Sequence, residues 1–324
     1  MSSRLELLKI KLQKERERKQ IHKPKSIPKE TLPVSEILDV QIPVTTDKPI
    51  TKVRFGCHVS VQHGLKQAAE YTKSLNFNCF QLFLQSPRSA KESTKPFDLE
   101  DAKNANQYMK DNDIEMWIHC SYVINFCRRC TEDTEILRQS VIRDMKKAII
   151  LGAKGCVLHV GKVRCTDITV SVEKGLENFK QNLETCITEL LKDNPPLVPW
   201  LLIETAAGQG SETPVNIEGL SKLYNSIDER YRKYIGFCID TCHVFASGEC
   251  NFKNTDDIDK FVERWNQHIG WDKVKLIHYN DSIGDFCCKV DRHEEDGKGA
   301  IGEMGLNYFK NLCILTGKSI VTEW

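Results

Sequence analysis

The sequence contains no run of about 18 apolar residues, and its first residues are charged rather than apolar, so neither a membrane-spanning helix nor a secretory leader is legible. The expectation is an intracellular protein, nuclear or cytoplasmic, with no membrane partner. Strong net charge is also missing: 46 Lys and Arg against 45 Asp and Glu leave +1 over 324 residues. That balance is uneven. Residues 1–30 carry ten Lys/Arg against four Glu, about +6, which leaves about −5 for the rest. A mildly acidic body cannot hold nucleic acid by side-chain charge alone. A GxGxxG motif after the first β-like run is absent as well, which disfavours a dinucleotide-binding sheet. Cysteine is not scarce, at fourteen. In a chain without a leader these read as reduced thiols packed as small hydrophobes. The CxxC formed by Cys127 and Cys130, and the adjacent Cys287 and Cys288, are weak signals for metal or redox chemistry.

Residues 1–50 divide into a charged stretch, RLELLKIKLQKERERKQIHKPK, and a tether, SIPKETLPVSEILDVQIPVTTDKP, with four prolines. They read as a basic, flexible extension preceding a domain over 51–324. From residue 52 onward, short β-branched or aromatic runs alternate with amphipathic helical stretches. The runs are KVRFGCHVS (52–60), FNCFQLFL (77–84), IEMWIHC (114–120), KGCVLHV (154–160), PWLLIET (199–205), IGFCIDT (235–241), VKLIHYN (274–280) and SIVTEW (319–324). Eight strand–helix repeats predict a parallel sheet with helical crossovers, closed as an α/β TIM (β/α)8 barrel; an open doubly wound sheet is the fallback.

Seven of the eight runs finish on a side chain able to hold a metal: His58, His119, His159, Glu204, Asp240, His278 and Glu323. Only the second does not. An acid such as Asp240 after FCI is ordinarily an N-cap or turn residue. Seven of eight is another matter when Asp, Glu and His together make up about a sixth of the chain. In a barrel the carboxyl ends of the strands face one another across one mouth, so these residues converge there. His243 follows Asp240 on the next loop, and Asp291 and His293 in VDRHEEDGKG share one side of a locally extended segment. Zinc takes about four ligands, so the set suits two or three ions with shared carboxylates, the arrangement that clamps both oxygens of a phosphodiester displacement. Three Zn2+ against the four carboxylates would leave about +2 at the mouth of an otherwise acidic body, which is attractive to a polyanion.

The segments GCHVSVQHGL, ETAAGQGS, CIDTCHVFASG and HYNDSIGDFCCKVDRHEEDGKGAIG lie in order along the chain. On them the sequence from about residue 53 to its end resembles endonuclease IV, the trinuclear zinc AP endonuclease family. The resemblance implies DNA repair of double-stranded DNA containing abasic sites. The phosphodiester 5′ to the lesion is hydrolysed to a 3′-hydroxyl and a 5′-deoxyribose phosphate by a hydroxide held between ions, with 3′-end trimming as an accessory activity. It further implies that His119, His159 and Glu204 hold one Zn2+; that Glu204, Asp240, His278 and Glu323 hold a second; and that His243, Asp291 and His293 hold a third. Glu204 and Glu323 are then the catalytic carboxylates. His58 is surplus to these nine and is expected to orient a ligand or a water. Arg88 in FLQSPRSAK and Tyr122 in HCSYVIN, with Val123 beside it, correspond to the residues the family uses to enter the duplex and hold the abasic nucleotide out of the stack. Gln209 in AGQGS is read either as a DNA contact or as a residue ordering Glu204. Family members generally act as monomers. The chain here ends one residue after Glu323, where the family continues into a last helix, so the closing seam is expected to be loose or covered by the N-terminal extension.

Two other readings compete. A sugar isomerase or epimerase of the xylose isomerase type shares the barrel and its strand-end ligands but uses one or two ions, leaving His243, Asp291 and His293 without a task. A lesion-binding protein without catalysis would have no reason to keep all nine ligands.

Overall fold

The computed structural model describes residues 53–166 and 168–323; the extension read over residues 1–50 lies outside them. Eight parallel strands close on themselves: β1 (Arg54–His58), β2 (Cys79–Leu82), β3 (Glu115–His119), β4 (Gly155–Leu158), β5 (Trp200–Glu204), β6 (Ile235–Asp240), β7 (Val274–His278) and β8 (Ser319–Thr322). Each lies inside one of the eight runs read from the sequence, and each pairs with its neighbours in chain order. The closing seam is not loose. β1 and β8 pair from Arg54 opposite Ser319 to Cys57 opposite Thr322, because β8 reaches full length before Glu323. The crossovers are α1 (Leu65–Ser74), α2 (Leu99–Asp111), α3 (Glu135–Leu151), α4 (Val172–Lys192), α5 (Ile217–Ser226), α6 (Thr241–Ser247), α7 (Thr255–His268) and α8 (Glu303–Leu315). Among the described residues no helix is long and apolar enough to cross a membrane. All fourteen cysteines are free thiols, most of them buried.

Strand periodicity of two decides what the barrel contains. Outward-facing residues such as Phe80, Met116, Ile118, Leu201, Ile203, Phe237 and Ile277 join the shell beneath the helices. Cys79, Trp117, Val157, Leu202, Cys238, Leu276 and Val321 form a separate apolar layer inside the ring. Deleting a side chain as large as Trp117 from such a layer costs about 3–5 kcal/mol. β1 contributes Gly56 at this level, where a Cβ would stand 1.5 Å from the Cys79 carbonyl oxygen, so no other residue lets β1 and β2 approach as they do. Two positions further along each strand direction come His58, Gln81, His119, His159, Glu204, Asp240, His278 and Glu323. The apolar layer is thus a floor, and the ring of polar residues lies directly above it.

The helices begin and end by ordinary capping. Asp98 accepts from the backbone N–H groups of Glu100 and Asp101 at the start of α2, and Gly152 ends α3 at φ 67°. After β7, Asp281 accepts from the N–H groups of Ser282 (2.7 Å), Gly299 (2.9 Å), Ile301 (2.9 Å) and Gly302 (3.2 Å), tying down a loop that has almost no regular structure of its own. A two-residue antiparallel pairing, Ser282 opposite His293, returns that loop to the mouth.

Asp144 on α3 is an acid fully buried away from the metal-competent ring. Burial raises its pKa from 3.8 to about 7, against the opposing pull of Lys147, Gln85 and Arg143, and the Cys120 thiol faces it from β3's end. Because the folded value is the higher one, the native state keeps a proton that the unfolded chain gives up. This stability is complete below about pH 3.8 and is lost as pH rises through about 7. Asp144→Asn has no such proton to lose. It should therefore gain stability over wild type progressively from pH 4 to pH 8, on the order of 3 kcal/mol at the upper end, as measured by urea unfolding at each pH. Parallel curves for the two proteins would show that Asp144 is ionised in the native state.

Candidate metal centre

Seven of the nine expected ligands line one cavity of about 520 Å³ at the carboxyl ends of the strands, whose lining also includes Tyr122, Arg128, Lys162, Gln209 and Arg292; the other two, Asp240 and His278, are fully buried. The donor atoms of the nine fall into three sets, each within 4.8 Å: His119, His159 and Glu204; Glu204, Asp240, His278 and Glu323; His243, Asp291 and His293. Glu204 belongs to two of them. Its Oε2 lies 3.0 Å from His159 Nε2 and 3.4 Å from His119 Nε2, while Oε1 lies 2.8 Å from His278 Nδ1 and 3.6 Å from His243 Nδ1.

Hydrogen bonds outside the sets settle which imidazole nitrogens face inward. His119 Nδ1 lies 2.7 Å from the Cys120 carbonyl oxygen and His243 Nδ1 2.8 Å from that of Thr205. A carbonyl only accepts, so both Nδ1 atoms carry the proton and both Nε2 atoms present a lone pair to the cavity. His278 is reversed: its Nε2–H donates to Gln81 Oε1 at 2.9 Å, which turns the Nδ1 lone pair toward Glu204 and Glu323. Lone pairs therefore meet carboxylate oxygens. His243 Nε2 stands 3.2 Å from Asp291 Oδ1, and His293 Nε2 stands 3.5 Å from Asp240 Oδ2. Two of these atoms, Glu204 Oε2 and His293 Nε2, are buried with no hydrogen-bond partner. Acceptors facing acceptors in a desolvated space cost several kcal/mol per ion unless a cation lies between them. The donor types, imidazole nitrogen and carboxylate oxygen in sets of three and four, are those of zinc. The residues present thus fit metal ions.

The same conflict appears in the acid–base balance. Burial alone would push the Glu204 carboxyl up, and His159 and His278, when they carry a second proton in place of the lone pair, hold it well below the usual range. Burial also opposes ionisation of Glu323, but His278 brings its pKa down to about 2. Positive charge near these carboxylates is what the cavity demands.

Asp240 has both a capping oxygen and one free for the donor sets. Oδ1 caps α6 by accepting the His243 N–H at 2.8 Å, and Oδ2 accepts from Asn280 Nδ2 at 2.6 Å and lies 3.5 Å from His293 Nε2. His58 accepts at Nδ1 from Gln81 Nε2 at 3.2 Å and stays 4.0 Å from Glu323 Oε1, beside the ligands rather than among them. Gln209 Oε1 accepts the Asp291 N–H at 3.1 Å, and among the described residues no hydrogen bond joins it to Glu204. Tyr122, 52% exposed, stacks edge-on to His119 at 5.3 Å, and Val123 beside it is also exposed. Arg88 is exposed, and its guanidinium has no hydrogen-bond or ion-pair partner among the described residues. Cys127 and Cys130 join none of the donor sets.

Two residues escaped the sequence reading. Gln81 fills the eighth place in the ring, donating to Glu323 Oε1 at 2.7 Å and accepting from His278. Its signal was a lone amide at an alternate position of FNCFQLFL, masked because the apolar run continues past the end of β2. Asn280 donates to Asp240 and Glu323 and accepts the Glu323 N–H; nothing in HYND separated it from a turn residue. The Cys242 thiol also comes near Asp240 and His293, but burial and Asp240 push its pKa up to about 12 and it points at the Arg292 carbonyl.

A family model described as xylose isomerase-like TIM barrel matches residues 69–311. A protein named endonuclease 4 in Acanthamoeba polyphaga mimivirus is 31% identical over 256 residues, which are 78% of this chain and 79% of that protein. The chain belongs to the endonuclease IV family. Membership makes it a deoxyribonuclease-type hydrolase. The solved endonuclease IV of Thermus thermophilus superposes with a TM-score of 0.69 at 26% identity, covering 84% of this chain and 92% of that one. A D-tagatose 3-epimerase-like protein also superposes, with a TM-score of 0.60 at 17% identity over 84% of this chain and 90% of its own; at that identity the likeness is one of fold alone.

In this endonuclease IV family member Gln81 fixes the tautomer of His278 and the rotamer of Glu323. Gln81→Leu is therefore expected to lower affinity for the most weakly held ion about 10- to 100-fold, measured by competition with a chromogenic chelator while circular dichroism stays unchanged. Undiminished affinity would remove Gln81 from the metal centre.

Proposed function

We propose that this AP endonuclease hydrolyses the phosphodiester 5′ to an abasic site in double-stranded DNA, leaving a 3′-hydroxyl and a 5′-deoxyribose phosphate, with three Zn2+ held by the nine residues of the mouth. The supporting observation is Glu204, one buried carboxylate whose two oxygens face two different donor sets. A sugar isomerase needs one or two ions, and the set of His243, Asp291 and His293 exceeds that need. Trimming of blocked 3′ ends, which are also phosphodiesters or phosphomonoesters at a strand terminus, draws on the same site.

When bound, the ions supply Lewis acidity, lowering the pKa of a water and drawing charge from the scissile phosphodiester. The remaining work falls to the chain. Glu204 presents one carboxylate oxygen to each of the first two sets. Glu323 is held at both oxygens, by Gln81 at 2.7 Å and Asn280 at 3.1 Å, so its orientation survives the arrival of a charged substrate. The apolar floor closes the ring from below and leaves substrate one way in. Around the rim, Arg128, Lys162 and Arg292 face the cavity and offer contacts to phosphates on either side of the reacting one.

Lesion selectivity follows from Tyr122, Val123 and Arg88. A nucleotide without a base is the cheapest to turn out of the helix, and side chains that occupy the vacated space make the bent duplex favourable. The Pro87 carbonyl oxygen accepts from both Ser121 Oγ and the Tyr122 N–H, each at 2.8 Å, so the loops bearing Arg88 and Tyr122 are bound to each other at the rim.

Glu204→Gln is expected to lower incision of an abasic duplex by at least about 10³-fold and to reduce zinc below three per chain, with the fold intact by circular dichroism. Full activity would rule out the bridging role, and turnover of free sugars by wild type in place of a nick would favour the isomerase. Tyr122→Ala should weaken binding of an abasic duplex by about 1–3 kcal/mol, read by fluorescence anisotropy, with zinc content unchanged. Unaltered affinity would take Tyr122 out of the DNA site.

A further inference from the structure

The segment from Gln85 to Phe97 links β2 to α2, carries Arg88, and has no helix or strand of its own. It is held from one side by α3. Gln85 Nε2 donates to Ser140 Oγ at 2.6 Å and to Asp144 Oδ2 at 3.2 Å; Arg143 Nη2 donates to the Ala90 carbonyl at 2.7 Å; Lys147 Nζ lies 5.2 Å from the centre of the Phe97 ring. Positions 140, 143, 144 and 147 fall on one helical face, so a single stripe of α3 grips the start, the middle and the end of the segment. Neither cation of the stripe pairs with Asp144; both turn to the segment instead.

Resting on the DNA reading above, we propose that this stripe positions Arg88 for entry into the duplex, and that Asp144, acting through Gln85, is its key positioning residue. Ser140 and Asp144 are fully buried, and two acceptors in the cluster, Gln85 Oε1 and Asp144 Oδ1, are buried without partners. An ionised carboxylate there would have one neutral donor and a large desolvation cost. A neutral carboxyl converts one unmatched acceptor into a donor and leaves the cluster balanced. A group so costly to bury yields nothing to the barrel's apolar core, but it fixes one geometry for a segment that lacks secondary structure to fix it. The Tyr122 loop is anchored separately, by Ser121 Oγ and the Tyr122 N–H donating to the Pro87 carbonyl, so the stripe acts on Arg88.

Arg143→Ala and Asp144→Ala are each expected to weaken binding of an abasic duplex about tenfold while turnover at saturating DNA stays within about threefold and zinc content is unchanged. Asp144→Asn, which keeps a donor in place, is expected to bind as wild type does. In an Arg88→Ala background the two alanine substitutions should cost less than about twofold, because the contact they serve has gone. Equal losses in both backgrounds, or failure of Asp144→Asn to restore binding, would overturn the proposal. Amide hydrogen exchange of residues 85–97 in the free protein separates this idea from the DNA reading. Unchanged exchange in Arg143→Ala and Asp144→Ala overturns the positioning role. Faster exchange together with no binding of abasic duplex by wild type sinks the DNA reading and leaves the stripe as the holder of the segment.

Discussion

Inside the mouth of the barrel, imidazole lone pairs and carboxylate oxygens point at one another across 2.8 to 3.5 Å in a space largely closed to solvent. Every other property of the site depends on that confrontation. Hydrogen bonds from Gln81, Asn280 and the carbonyls of Cys120 and Thr205 fix where each acceptor points, but each contributes only about 1 kcal/mol net and none neutralises a charge. Cations do, and the arrangement makes sense as a cage built for them.

The cage can be this dense because the barrel tolerates it. Each of the eight strands sends every second residue inward, so an apolar residue on each is followed two positions later by a polar one. The level below the ligands is filled by Trp117, Leu202, Leu276, Val321 and their neighbours, a packed layer that supports the site without offering it hydrogen bonds. Stability is supplied beneath and around the site, so the polar level need not contribute any. The loops above follow the same division of labour. Asp281 commits its carboxylate to four backbone N–H groups to shape the loop that delivers Asp291 and His293, and Gln209 fastens Asp291 at the backbone. The stripe on α3 does for the Arg88 segment what Asp281 does for its own loop.

A resident charge of metal ions also resolves the electrostatics of substrate. The body of the chain is slightly acidic, which should repel DNA, and four carboxylates gather at the mouth. Three divalent ions, the number proposed above, would reverse the local sign, and the rim cations add to it. Attraction is then confined to the place where the phosphodiester must go, with a body that discourages binding elsewhere.

Much of this was legible in the sequence. All eight strands could be read because a strand buried on both faces is a short apolar run with abrupt ends, and six of the nine candidate metal-holding residues could be read because His, Glu and Asp at those ends violate the apolar pattern; His243, Asp291 and His293 were read from the loops that follow. Most of the cysteines were readable as core residues for want of any oxidising context, although Cys165 and Cys287 are exposed. Gln81 was not readable, since the level at which a side chain sits depends on where β2 starts relative to β1 and β3, and an apolar run does not mark its own register. For the same reason Asn280, the task of Gln209 and the tight seam between β1 and β8 came only from the folded chain. Sequence by itself determined which residues carry chemistry and that their strands alternate with helices, because both are local properties of composition and period. Tertiary structure alone decided which nitrogen of each histidine faces the carboxylates and what holds the rim loops in place, because those depend on hydrogen bonds between residues as much as 242 positions apart.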